Sequence, residues 1–119
     1  MANKYKDVSF SLDDGTFEDS PLYAKQREER GWDDTEVWNL DTTISNFILP
    51  RLKVFKKIHH GHPSNLSENE WEEYLNKMIL AFELNLSYED WALDDLEKKE
   101  SEIKEGLALF IEYFNQLWD

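Results

Sequence analysis

The sequence contains no cysteine, which excludes disulfide bonds and thiolate metal sites. It also has no long hydrophobic run, because no apolar stretch approaches the ~20 residues that a membrane-spanning helix needs. The opening residues, MANKYKDVSF, lack the apolar segment of a signal peptide. With 119 residues the chain is long enough for one domain and too short for two. We therefore expect a soluble, cytoplasmic, single-domain protein that does not contact a membrane.

Cations are scarce as well. The chain has 13 Lys and Arg against 26 Asp and Glu, a net charge of −13. Residues 51–67 carry four of these cations and no acid, whereas residues 68–119 carry four cations and fifteen acids. Direct nucleic-acid binding is disfavoured, since neutralising a phosphate backbone needs clustered cations. The charge instead predicts a protein that is steered toward a basic partner.

Aromatic and apolar residues at helical spacing are abundant. Aromatics make up 14% of the chain, which argues against global disorder. The longest helical pattern that has a clear start signal lies within Gly31–Phe55. It opens with Asp33 and Glu36 at the spacing of a capping box, and the flanking pair Trp32 and Val37 is placed for a hydrophobic staple. Because Pro50 removes a backbone donor inside this pattern, we predict a kink or a break near residues 46–50.

Two later segments repeat the same cap arrangement. Ser67 and Ser87 are the predicted N-caps, each followed three residues later by an acid and four residues later by a tryptophan. The members of the two segments are Leu66, Ser67, Glu70 and Trp71, and then Leu86, Ser87, Asp90 and Trp91. They predict helices that run to about residue 84 and from about 88 to 118. Gly106 in the last helix indicates a bend or a close helix contact.

The N-terminal residues differ from the rest. Alternating Val8, Phe10 and Leu12, followed by the turn pair Asp14-Gly15, predict a short β-like arm over residues 1–19. Ser20-Pro21 then opens a short helix that ends near Arg30, with Gly31 as its C-cap. The predicted fold is mostly α: a small antiparallel bundle of three or four helices with a long helix kinked at Pro50. Residues 20–119 form its single helical domain.

Two charged residues fall within the apolar stripe of the long helix. Asp41 and Arg51 lie either at the solvated edge of the stripe or buried with a specific partner from another helix. At roughly 15 Å apart along a straight helix they cannot pair with each other. Glu83 is the predicted partner of Arg51 if the second alternative holds.

Residues with metal-binding or catalytic chemistry are few. His59, His60 and His62 cluster in one loop, but the loop has no acid and a zinc site needs a further ligand from another element. We expect a solvated loop cluster and predict no metal, no cofactor and no catalytic residue. The chain also lacks a nucleophile-elbow motif and a glycine-rich phosphate loop.

The acidic pairs Glu70–Glu73 and Glu97–Glu100 allow one enzymatic alternative. Their E-x-x-E spacing resembles that of the MazG-type nucleotide pyrophosphohydrolases, which hold Mg²⁺ on carboxylates in a helical bundle. This chain departs from the pattern, because Glu100 stands in place of the final Asp. Charge on a solvated helix face explains the same residues.

A wider set of residues resembles an uncharacterised family of small helical bacteriophage and prophage proteins over about residues 30–118. The resemblance rests on Gly31-Trp32, Trp38-x-Leu40-Asp41, Leu49-Pro50-Arg51-Leu52-Lys53 with Phe55, Gly61 and Pro63, Trp71, Met78-Ile79, Ala81-Phe82-Glu83, Gly106-Leu107, Phe110, Tyr113-Phe114 and Leu117-Trp118. It implies a viral origin and carries no assigned activity.

We therefore expect a non-enzymatic acidic phage protein that binds, and by binding inhibits, a host or anti-phage defence protein with a basic surface. The candidate binding residues are Glu70, Glu73, Asp90, Asp94, Asp95 and Glu97. The alternatives are a virion or assembly component, which would form a homo-oligomer, and a Mg²⁺-dependent pyrophosphohydrolase.

Overall fold

The computed structural model describes residues 21–87 and 95–118, and it confirms a mostly helical fold. Its elements are α1 (Pro21–Arg30), a 3-10 turn (Asp34–Val37), α2 (Leu40–Ile58), α3 (Glu68–Leu86), α4 (Leu96–Glu112) and a second 3-10 turn (Phe114–Gln116). These residues contain no strand, and the predicted arm over residues 1–19 lies outside them. None of the helices in the described ranges combines the length and apolar character that a membrane crossing requires.

The chain divides into two compact units, residues 1–44 and 45–119, here named the N-terminal unit and the C-terminal unit. The single helical domain over residues 20–119 stays a prediction.

In the N-terminal unit, α1 begins at Pro21, whose fixed φ suits the first helical position. The helix ends as predicted at Arg30, where Gly31 adopts a positive φ of 86° and donates its N–H to the Arg27 carbonyl at 2.8 Å. None of the side chains of α1 is buried. Apolar packing therefore contributes little to holding this helix.

The capping box of Asp33 and Glu36 is confirmed, but it caps a different element from the one predicted. It starts the 3-10 turn Asp34–Val37 rather than the long helix, and α2 begins separately at Leu40. The Thr43 hydroxyl donates to the Glu36 carbonyl at 2.7 Å, which satisfies an acceptor that a continuous helix would have used. Trp32 and Val37 are 39% and 47% exposed, so their predicted staple buries little surface.

Helix α2 continues through Pro50, which excludes the break that was one of the two predicted alternatives, while the kink stays a prediction. The missing proline N–H leaves one carbonyl without its helical donor, and the hydrogen bonds on both sides carry the helix across the gap. The separation between helical segments falls earlier, around Trp38 and Asn39.

The C-terminal unit is built on α3. The capping box of Ser67 and Glu70 is confirmed, and both predicted staple residues are buried, Leu66 at 8% and Trp71 at 1% exposed. Four residues of α3 are at most 1% exposed: Trp71, Leu75, Met78 and Ala81. The core comprises Leu52, Leu66, Trp71, Leu75, Met78, Ile79, Phe82 and Tyr113.

Helices α3 and α4 pack antiparallel, as the predicted bundle requires. The rings of Trp71 and Tyr113 meet at 5.7 Å near one end, and Lys77 Nζ lies 2.7 Å from Glu105 Oε1 farther along. Gly106 marks the predicted close contact, because a Cβ placed there would lie 2.3 Å from the Lys77 carbonyl oxygen. The absence of a side chain at this position lets the two backbones approach.

The C-terminal boundary of the last helix differs from the prediction, and its predicted start near residue 88 lies outside the described residues. Ser87 closes α3 through its backbone N–H, while its proposed partners Asp90 and Trp91 lie outside the described residues. The α-helix stops at Glu112, and Tyr113 leaves the helical region with φ −105° and ψ 16° as its ring packs on Trp71. Trp118, beyond the end of α4, is 74% exposed.

Candidate interaction surfaces

The predicted acidic binding residues occupy two places rather than one. Glu70 and Glu73 lie in the first two turns of α3, whereas Asp95 and Glu97 lie at the start of α4. Because the helices are antiparallel and α3 has 19 residues, these two groups stand at opposite ends of a pair about 28 Å long. Asp90 and Asp94 lie outside the described residues. A continuous carboxylate patch made by all four described residues is therefore excluded.

The two acidic ends also differ in how their carboxylates are used. Glu70 accepts a hydrogen bond from the Ser67 backbone N–H at 3.0 Å, and this bond lowers the pKa of Glu70. Glu73 lies 3.9 Å from Lys77, whose own pKa is raised mainly by its hydrogen bond to Glu105. At the other end Asp95 is exposed and makes no side-chain cap bond. The carboxylates at the start of α4 are thus the more available for a partner.

The same geometry bears on the E-x-x-E alternative. Glu70–Glu73 and Glu97–Glu100 lie at opposite ends of the α3–α4 pair, so they do not converge on one metal ion. Within the described ranges, no three His, Asp or Glu side chains come together as a cation site would require. The chain therefore differs from the pyrophosphohydrolase pattern in the positions of its acidic pairs as well as in its sequence.

His59 corrects the prediction of a solvated histidine cluster. Its side chain is only 6% exposed and lies between α2 and α3. Nε2 lies 2.8 Å from Glu72 Oε1, Nδ1 lies 2.9 Å from the Gly61 carbonyl oxygen, and the ring stacks on Phe55. Both partners accept hydrogen bonds only, so the geometry favours the doubly protonated imidazolium. The acid that the loop lacks comes from α3, which spacing within the loop could not show.

Two opposing effects determine the pKa of His59. Burial lowers the pKa of His59, but the hydrogen bonds to Glu72 and Gly61 outweigh burial, so the pKa lies above its ordinary value of 6.5. His60 and His62 are exposed, as predicted for the whole cluster. His59 therefore acts as a structural contact between α2 and α3.

The two charged residues of the α2 stripe are both exposed, which agrees with the solvated-edge interpretation. Arg51 stacks over the Phe47 ring at 3.9 Å, and its Nη1 donates to the Phe47 carbonyl at 2.8 Å. The proposed pairing of Arg51 with Glu83 is not formed. Glu83 lines a separate groove of about 550 Å³ beside Lys53, Lys56 and Lys57.

A polar network is the main feature of the N-terminal unit. Asp33 is fully buried and accepts from Arg27 Nη1 at 2.6 Å and from the Thr35 N–H at 2.9 Å, with a further bond from the Thr35 hydroxyl. Burial alone would raise the pKa of Asp33, yet these bonds outweigh it and the pKa is lowered. Arg30 binds Asp34 at 2.7 Å alongside. Sequence spacing identified Asp33 as a cap but not its arginine partner.

One surface was not predicted at all. Ile111, Phe114 and Trp118 are 75%, 59% and 74% exposed, and we name them the C-terminal apolar surface. The sequence feature that could have revealed this surface is the scarcity of charge, since Glu112 is the only charged residue between Gly106 and Trp118.

No family model matches the chain, and neither the curated proteins nor the solved structures include a significant match. The resemblance to small phage proteins therefore stays a prediction.

Proposed function

We propose that this protein is a non-enzymatic binding protein whose acidic helices α3 and α4 dock on a basic surface of another protein. The observation that carries the proposal is the charge of this pair. Helix α3 has five carboxylates and one lysine, and α4 has five carboxylates and three lysines. Eight of these ten carboxylates are exposed. Such a surface attracts a basic partner over distance and repels nucleic acid.

The carboxylates lie at two separate ends of the helix pair, which restricts the partners that can contact all of them. A partner that contacts both ends must present cations spread over roughly 28 Å, the length of α3. The start of α4 makes the stronger contribution, because its carboxylates are less engaged within the protein than Glu70 and Glu73.

The identity of the partner as a host or anti-phage defence protein, and inhibition as the outcome, follow from the resemblance to phage proteins alone. We keep both as part of the proposal. A pyrophosphohydrolase activity is not favoured, since the two E-x-x-E pairs lie at opposite ends of the helix pair.

The test is affinity capture from bacterial lysate with three charge-matched variants, read out by mass spectrometry. Glu97→Gln/Glu100→Gln removes two carboxylates at the start of α4, and Glu68→Gln/Glu73→Gln removes two at the start of α3. Glu28→Gln/Glu29→Gln removes two exposed carboxylates of α1 and is the control for net charge.

A specific partner is expected to be lost most with the α4 variant, less with the α3 variant and least with the α1 control. Binding should also weaken between about 50 and 500 mM salt, because screening shortens the reach of surface charge. Equal loss with all three variants, or binding that is insensitive to salt, would contradict the proposal.

A further inference from the structure

The C-terminal apolar surface lies next to an open apolar groove of the same unit. The groove has a volume of about 300 Å³ and lies between α2 and the end of α4. Its lining consists of Phe47, Ile48, Arg51, Leu52, Phe55, Phe110 and Leu117. Arg51 is the only charged residue among them. The Phe110 ring inside the groove meets Phe114 of the exposed surface edge to face at 5.7 Å, so groove and surface are adjacent.

The C-terminal apolar surface and the groove each have one charged residue, and the two charges are opposite in sign. Glu112 is exposed beside Ile111 and makes no ion pair within the described part of the chain. Arg51 is held in place at the groove, because its guanidinium stacks on Phe47 and bonds to the Phe47 carbonyl. A convex apolar surface with a carboxylate therefore lies beside a concave apolar groove with a guanidinium.

This arrangement is self-complementary. A twofold axis near Phe114 would place the apolar surface of each copy in the groove of the other, and Glu112 of each beside Arg51 of the other. We infer that two copies of this chain form an isologous dimer through the C-terminal apolar surface and the adjacent groove, with two Glu112–Arg51 ion pairs across the interface.

A second copy fits this region better than the basic partner proposed above. The chain carries a net charge of −13, so two copies repel each other except where a surface is neutral. Here one carboxylate and one guanidinium cancel. A basic partner would find a single carboxylate among apolar side chains, and it is better accommodated by the acidic ends of α3 and α4.

The size of the surface sets the expected strength. A fully buried aromatic side chain removes roughly 150–250 Å² from water. Phe114 and Trp118 expose more than half of theirs, and the groove adds area from Phe47 and Phe55. Such an interface falls at the small end of the range for specific complexes, so we expect a dimer that dissociates in the micromolar range. The inference does not depend on the proposed function, since the acidic ends are not part of this interface.

The test is sedimentation equilibrium of the full chain from about 5 to 500 µM, a range that spans micromolar dissociation constants. The wild type should show a reversible monomer–dimer equilibrium. Phe114→Ser/Trp118→Ser should be monomeric throughout while its circular dichroism stays unchanged, because both side chains are exposed. Val54→Ser/Ile58→Ser is the matched control: these side chains are 53% and 57% exposed, lie outside the groove lining, and should leave dimerisation intact.

A charge exchange distinguishes this dimer from any other association. Arg51→Glu and Glu112→Arg should each weaken the homodimer by roughly tenfold, because each places like charges at both ion pairs. An equimolar mixture of the two variants should form a heterodimer of near wild-type affinity, and the double variant should dimerise with itself. A wild type that is monomeric at all concentrations, or a dimer without this rescue, overturns the inference.

Discussion

Different interactions stabilise the interior of the N-terminal unit and the interior of the C-terminal unit. In residues 21–44 the buried residues include Asp33, Thr35 and Glu36, and no large apolar side chain there is buried. In the described part of residues 45–119 the interior is an apolar cluster around Trp71, Leu75 and Met78. Apolar burial depends little on pH or salt, whereas charged hydrogen bonds depend on both. In one acidic chain, charged hydrogen bonds can therefore stabilise one segment while apolar packing stabilises another.

The largest effect should come from the packed unit. Trp71→Ala removes a side chain that is 1% exposed, and we expect it to destabilise the C-terminal unit by about 3–5 kcal/mol, as is typical for a large aromatic in a core. Trp118→Ala, which removes a tryptophan that is 74% exposed, should change the free energy of unfolding by less than about 0.5 kcal/mol in dilute solution. Urea denaturation followed by circular dichroism measures both. Similar effects for the two tryptophans would contradict the assigned core.

Asp33→Ala should have the next largest effect and should act on the N-terminal unit. It removes the cap and leaves Arg27 without its buried carboxylate, at a cost of about 2–3 kcal/mol for charged hydrogen bonds. Asp33→Asn keeps the cap acceptor and loses the ion pair, so its effect should be smaller.

The pH dependence of this network has a definite sign. Because the pKa of Asp33 is lowered in the folded state, its contribution is present above the unfolded value of 3.8 and is lost as the pH falls through the folded pKa. An Asp33→Ala variant that remains equally acid-sensitive in residues 21–44 would contradict the charged network.

Gly106→Ala tests whether the backbones of α3 and α4 are in close contact. Alanine favours a helix over glycine by about 1 kcal/mol, so helix propensity alone predicts stabilisation. The new Cβ would instead meet the Lys77 carbonyl oxygen at 2.3 Å and Ala81 Cβ at 2.5 Å, and we expect a net loss of about 1–2 kcal/mol. Ala108→Gly, at an exposed position of the same helix, is the control and should cost about 1 kcal/mol by propensity. Stabilisation by Gly106→Ala would show that the helices are not in close contact there.

His59→Gln should have the smallest effect, and it tests a polar contact within the packed unit. The pKa of His59 is raised, so its stabilisation is fully present below the unfolded value of 6.5 and is lost as the pH rises through the folded pKa. We expect a contribution of about 1 kcal/mol, reduced because Glu72 is partly exposed. Thermal unfolding from pH 5 to pH 9 should show a steeper decline for the wild type than for the variant. Parallel curves would mean that the pKa of His59 does not differ between the folded and unfolded states, which would contradict the charged contact with Glu72.

The sequence predicted the parts of this fold that local patterns determine. The cap signals at Asp33 and Ser67 are confirmed because a capping box is set by residues three apart. The close contact at Gly106 was one of two predicted alternatives. The start of α3 and its apolar face follow from the same short-range periodicity.

The missed features depend on residues far apart in sequence. Glu72 reaches His59 across 13 positions, and no spacing rule links them. Glu70 and Glu97 lie at opposite ends of the helix pair, and this separation follows only from the antiparallel packing of α3 and α4. Phe114 continues the apolar spacing of Leu107 and Phe110, yet it is 59% exposed, since the α-helix has already ended at Glu112. A stripe in the sequence therefore does not distinguish a buried terminus from an exposed contact surface.

Residue-resolved amide hydrogen exchange of the wild type and Asp33→Ala tests most directly the claim that charged hydrogen bonds hold residues 21–44. The amides of Gly31, Thr35, Glu36 and Trp38, which are all hydrogen-bonded in the N-terminal unit, should lose protection in the variant. The amides of α3 from Leu75 to Phe82 should keep theirs, since apolar packing protects them. Unchanged protection at the first four amides, or an equal loss in α3, would contradict the account.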